Sequence, residues 1–169
     1  SVLVFFFFEI LPSAPVGVSE VHLILGSTLF LLFGLVPSAL GLAIGLLAQV
    51  ILLAPWDLPQ YGMNVTTLLL PLLVVYVIAE RIIHRQTAYQ DLSYRQVLQL
   101  SLVYQVGIVS WVAFWVSYDQ GFGADSMFQV LSFGSAYLGV IVLEPSIDLS
   151  LLAGVKILPS LRNSSIFSK

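Results

Sequence analysis

The sequence predicts an all-α fold, a polytopic bundle of about six transmembrane helices with the first truncated, and three observations carry that prediction. Charge is scarce: the chain of 169 residues has six basic and nine acidic side chains, whereas a soluble domain carries about a quarter charged residues to solvate its surface. Apolar residues make up 59% of the chain and its mean hydropathy is +1.00, so lipid must be the solvent for most of it. Finally, Asp, Glu, Lys and Arg are missing from residues 21–56, 58–79, 96–118 and 126–143. Roughly 20 such residues in a helix cross the roughly 30 Å of hydrocarbon.

Taken in order, residues 1–10, SVLVFFFFEI, are apolar but too short to span. The expectation is a helix cut short at its start. Its competitor, a signal-peptide core ending near Ser13-Ala14-Pro15, lacks a basic segment ahead of it. The stretch 21–56 would make about 54 Å of helix at 1.5 Å per residue, nearly twice the membrane thickness, so it must fold back on itself. Gly34, Pro37, Ser38 and Gly41 mark the place, because proline lacks the amide a helix interior needs but is tolerated in a first turn. Helices are expected at roughly 18–35 and 38–56, and the other three stretches are single spans. No internal repeat and no Pro-, Ser- or Gly-rich linker divides the chain, so residues 1–169 read as one integral membrane domain.

Basic residues bias a loop toward the cytoplasm during insertion, and all six fall on one side. Arg81, Arg85 and Arg95 lie in the loop between the 58–79 and 96–118 spans, while Lys156, Arg162 and Lys169 lie in the C-terminal tail. The loops at 11–21, 56–62 and 118–126 contain none and are expected outside. The C-terminus is then cytoplasmic, in a multi-pass protein of the cell (inner) membrane. Six basic residues cannot neutralise a phosphate backbone, which excludes nucleic acid. The absence of cysteine removes disulfides, zinc-thiolate sites, iron–sulfur clusters and thiol nucleophiles.

In this topology His22 falls in the first turn of the second helix and Asn64 in the first turn of the fourth, so two polar residues converge on one outer mouth. Neutral imidazole is a nitrogen donor for nickel, cobalt or copper, and an Asn can orient a ligand from the outer shell. The competing reading is interfacial solvation of two helix ends. His84 lies among Arg81 and Arg85, whose charge would repel a cation, and reads as a headgroup contact. Glu80 is placed to pair with it at i, i+4.

Intramembrane acids are functional candidates by default, and Glu9 and Glu144 are the two here. Glu9 is close to an outer loop. Glu144, about 26 Å below Met127 at helical rise, should approach the inner interface, there to pair with a loop Arg or couple to a partner. Gly41 and Gly45 form a small-xxx-small pair for close helix packing. Ser135 lacks a histidine at like depth to serve as its base, and no GxxxxGK[ST] phosphate loop is present.

The run Pro15-Val16-Gly17-Val18-Ser19-Glu20-Val21-His22-Leu23-Ile24-Leu25-Gly26, then Gly34, then Leu47-Ala48-Gln49-Val50-Ile51-Leu52, then Tyr61-Gly62-Met63-Asn64-Val65-Thr66-Thr67, resembles the membrane-embedded substrate-binding component of energy-coupling factor transporters for cobalt and nickel, the CbiM and NikM type. The similarity covers residues 5–80 well. Beyond them, Ala136-Tyr137-Leu138 through Glu144 looks like the segment before that family's last-helix glutamate.

The resemblance implies a metal held by an amino-terminal Met-His segment together with an internal His, which His22 matches, while Gly62 and Asn64 match a Gly-x-Asn turn. Thr67 stands where the family has a second Asn and Leu68 where it has Met. The Met-His segment and the helix after it are absent, so the chain reads as N-terminally truncated relative to the family.

The function so implied is capture of Co2+ or Ni2+ as transported substrate, with His22 as ligand and Asn64 behind it. The chain is expected to be a transporter part and not an enzyme. It would work with a membrane coupling (T) subunit and two ATPase subunits that hydrolyse ATP. Two alternatives stay open: a related subunit for an organic micronutrient, and a membrane scaffold whose His and Asn are merely interfacial.

Overall fold

The computed structural model describes residues 14–16, 19–21, 23–84 and 87–158. A small hairpin, β1 (Ala14–Val16) and β2 (Ser19–Val21), precedes five helices: α1 (Gly26–Phe33), α2 (Leu35–Leu52), α3 (Tyr61–Ile82), α4 (Tyr94–Gln120) and α5 (Ala124–Ile157). Short 3-10 turns occupy Pro55–Gln60 and Tyr89–Asp91. The partial helix expected at residues 1–10 lies outside the described residues.

Four segments are long and apolar enough to cross a membrane: Leu35–Leu52, Pro55–Ile82, Tyr94–Gln120 and Ala124–Ile157. They turn large apolar side chains outward, among them Leu40, Ile44, Val77, Val106 and Leu131. A helical membrane bundle is therefore the fold, as the composition predicts.

The expected fold-back is present. Gly34, at φ +80°, ends α1 and caps α2, in a conformation that glycine adopts readily and L side chains rarely do. Pro37 then sits in the first turn of α2, where its missing amide has no partner to lose. The first arm of the fold-back differs from the expected helix over 18–35. It contains only eight residues, and the chain before it forms an antiparallel hairpin with Ala14 opposite Val21 and Val16 opposite Ser19. Val16, Val18 and Val21 are β-branched and favour extended backbone, and Gly17 weakens a helix. At about 12 Å, α1 cannot cross a bilayer.

Helix α4 opens on a capping box. The Ser93 hydroxyl accepts the Gln96 amide at 3.2 Å, and the Gln96 side chain accepts the Ser93 amide at 2.9 Å. Gln96 Nε2 also donates to the Ile82 carbonyl at 2.6 Å, tying the start of α4 to the end of α3. Farther along these helices Gly107 lies against Pro71, so close that a Cβ there would be 2.7 Å from the proline Cβ. Ser38, Gly41 and Gly45 lie on the buried side of α2, where small residues let helices approach.

Arg81, Arg95 and Lys156 share one end of the bundle, in the last turn of α3, the first of α4 and the last of α5. There Lys156 Nζ donates to the Leu92 carbonyl at 2.6 Å and lies 4.9 Å from the centroid of the Tyr94 ring. Toward the other end Trp111, Phe114, Trp115 and Tyr118 form a chain of ring contacts along α4, an aromatic run of the kind found at membrane interfaces. The main core lies between, with Leu42, Leu72, Leu100, Tyr104, Phe133 and Tyr137 buried in it.

Candidate functional site

Helix α1 begins in the interior of the bundle. Gly26 makes this possible, since a Cβ at that position would lie 2.2 Å from Tyr104 Cζ, and only hydrogen fits against the fully buried ring. The Tyr104 hydroxyl in turn reaches the Leu68 carbonyl at 3.4 Å. A helix start exposes main-chain amides that no earlier turn can accept, and in hydrocarbon each such amide needs a partner inside the protein.

Helix α5 supplies partners for two amides at the entry to α1. Glu144 Oε1 accepts the amides of Ile24 and Leu25, the latter at 2.9 Å, and the other oxygen accepts from Gln105 Nε2. The Tyr137 hydroxyl donates to Gln105 Oε1 at 2.8 Å and fixes that amide's orientation. One turn further on, Asp148 accepts the hydroxyls of Ser27, at 2.7 Å, and of Thr28. Ser27 and Ser101 hydroxyls are 3.2 Å apart.

Both carboxylates are at 0% exposure, and every donor described at them is uncharged. What makes them tolerable is this set of hydrogen bonds together with the positive end of the α1 dipole. Leu25, at φ 54° and ψ 30°, is held in left-handed backbone, an outlier for a bulky side chain, by the same carboxylate. At the basic end the Tyr89 hydroxyl lies 3.5 Å from the Asp148 carbonyl. Burial, and then the nearby Asp148 charge, hold its phenol well above the usual range, so it is a neutral donor.

Helical rise gives the depth of this cluster. Leu68 is about 21 Å from the basic end of α3, Gln105 about 16 Å from that of α4, and Glu144 about 20 Å from that of α5. The carboxylates therefore lie well inside the spans, which corrects the expectation that Glu144 approaches the inner interface and pairs with a loop Arg. Pro145 does not end the helix, which runs on to Ile157, and its buried side turns inward to α1.

His22 lies outside the described residues, between β2 and the segment Leu23–Leu25 that leads into α1. Asn64 is found in the first turn of α3, half-buried. It stands one helical turn, about 6 Å, above Leu68, the residue level with Gly26 through Tyr104. His84 is exposed, and its carbonyl accepts the Thr87 hydroxyl at 2.8 Å. Glu80 accepts the Tyr76 hydroxyl at 2.8 Å, and the Ser135 hydroxyl bonds back to the Ser132 carbonyl at 2.8 Å.

Among the described residues no group of three or more His, Cys, Asp or Glu is placed to hold a metal ion. What the cluster does chemically is fix an irregular backbone segment in the bundle interior. Asp148 and Gln105 escaped sequence reasoning. The signal for Asp148 was its i, i+4 spacing from Glu144; nothing in the sequence marked Gln105.

A family model described as cobalt uptake substrate-specific transmembrane region, CbiM, matches residues 1–159. No curated protein and no solved structure matches the chain.

Proposed function

This chain belongs to the CbiM family, the substrate-specific transmembrane region of cobalt uptake, and on that premise we propose that it captures Co2+ or Ni2+ at the outer face through His22, with Asn64 orienting the site. The ion is the transported substrate. A transport role of this kind leaves ATP hydrolysis to partners, a membrane coupling subunit and two ATPases, and sets the C-terminus in the cytoplasm with the basic end of the bundle.

One observation carries the reading beyond the family. The segment that follows His22 is non-helical backbone, Leu23–Leu25, that enters the short helix α1 inside the bundle. Non-helical backbone at membrane depth is tolerated where it is buried in protein or lines a cavity, and transporters build their substrate sites at such interrupted helices. Selection among divalent ions would rest on the geometry of the donors, since raw affinity favours copper over nickel and cobalt.

Calorimetry on the full-length protein in detergent tests it. His22→Ala should abolish most Co2+ and Ni2+ binding, and His84→Ala should leave it intact; equal losses, or binding retained by His22→Ala, would overturn the assignment. Orientation is tested separately in this cysteine-free sequence. An impermeant thiol reagent on intact cells should label a cysteine placed at Gln120 and spare one placed at Asp91.

A further inference from the structure

We propose that Glu144 is a positioning residue for metal capture: its carboxylate, by accepting the amides of Ile24 and Leu25, sets the turn that carries the chain from His22 into α1. This rests on His22 being the metal ligand. The two amides belong to residues two and three positions after that histidine, and they are the ones that make the turn at left-handed Leu25. Both are bound by one oxygen of one side chain.

That side chain has no freedom of its own. Its second oxygen is held by Gln105, Gln105 is held by Tyr137, and all three residues are buried. The turn is therefore referred through Glu144 to α4 and α5, the two longest helices, and not to its neighbours in sequence. A ligand on a short interrupted segment needs such support, because the alignment of a donor atom is only as good as the backbone that bears it.

What is required of residue 144 on this account is an acceptor in the right place, and not its charge. Glutamine keeps an acceptor oxygen for the two amides, and its NH2 group can donate to Gln105 once that amide has rotated, with Tyr137 then accepting. Leucine fills the space and accepts nothing. The experiment compares Glu144→Gln, Glu144→Leu and His22→Ala in the full-length protein, by Co2+ calorimetry corrected for the folded fraction. The visible absorption of the bound Co2+, which reports donor geometry, is recorded alongside.

Glu144→Gln is expected to bind Co2+ within about threefold of the parent with an unchanged spectrum. Glu144→Leu is expected to lose at least about tenfold in affinity with a shifted spectrum. If Glu144→Leu does not fold, Gln105→Leu, which leaves the Ile24 and Leu25 amides bonded but frees the carboxylate to turn, should give a smaller loss with the same spectral shift.

An unchanged Kd and spectrum in Glu144→Leu, or in Gln105→Leu where that variant stands in for it, would overturn the proposal while leaving His22 as ligand. So would a loss in Glu144→Gln as large as in Glu144→Leu, since the charge itself would then be needed. Full binding by His22→Ala would overturn the reading of the site on which the proposal rests.

Discussion

Helices α1 and α4 begin in opposite ways. The first turn of α4 is closed by its own residues, Ser93 and Gln96, three positions apart. The start of α1 is held by Glu144, at the amides of Ile24 and Leu25 just before the helix, and by Asp148, at the hydroxyls of Ser27 and Thr28 in its first turn, 119 to 121 positions away in the sequence. A locally capped helix can form wherever its sequence goes and then be packed. One capped from a distance exists only in the place where its partners stand, so its position is specified together with its existence. Where a segment bears a ligand, the second arrangement gives the precision.

The largest effect should come from breaking the distant cap. Glu144→Leu leaves the Ile24 and Leu25 amides and the Gln105 side chain without their acceptor, and unfolding in detergent should show a loss of about 3 kcal/mol. Next comes the seat on which the same turn rests. Gly26→Ala drives a methyl into the buried Tyr104 ring and should cost about 2 kcal/mol. Combined with Tyr104→Leu, which opens the space, the loss should fall at least about 1 kcal/mol short of the sum of the two single losses.

The local cap should give the smallest change. Ser93→Ala is expected to lower stability by about 1 kcal/mol, with faster hydrogen exchange confined to the first turn of α4. The same measurement sharpens the contrast: in Glu144→Leu the exchange of α1 amides should rise together with that of α4 and α5. Exchange that rises in α1 alone would mean that the two helix starts are equally local in their consequences.

This contrast also divides what could be read in the sequence from what could not. Charge-free length is a one-dimensional property, and it yields the long apolar spans, the fold-back at Gly34 and Pro37 and the place of Asn64 in the first turn of α3. The pairing of residues 14–16 with 19–21 was missed because strands of three residues are too short for a period-2 pattern to show, and valine suits strand and buried helix alike. The start of α1 was missed for a different reason: no signal near Gly26 could report acceptors on a helix more than a hundred positions later. Glu144 was singled out as an intramembrane acid, yet two of the three donors described at it are main-chain amides, which have no sequence signature. Asp148 had visible spacing to Glu144, but it lies past the uncharged stretch 126–143, where charge alone does not separate span from tail.

The separation of Glu144 from Ile24 also fixes an order of manufacture. The chain is made from its amino terminus at about 5 to 20 residues per second, so the amides of Ile24 and Leu25 leave the ribosome roughly 6 to 24 s before the carboxylate that will accept them, 120 residues later. Until then the short helix has no distant cap, and hydrocarbon would leave its first amides unmatched. The insertion machinery must therefore hold residues 24–33 in water or against its own polar groups while the spans from α2 onward enter the lipid. The segment next to the proposed metal ligand, made well before α5, is seated only once α5 is there, and a ribosome stalled before residue 144 leaves the last span unfinished and the Ile24 and Leu25 amides without their acceptor.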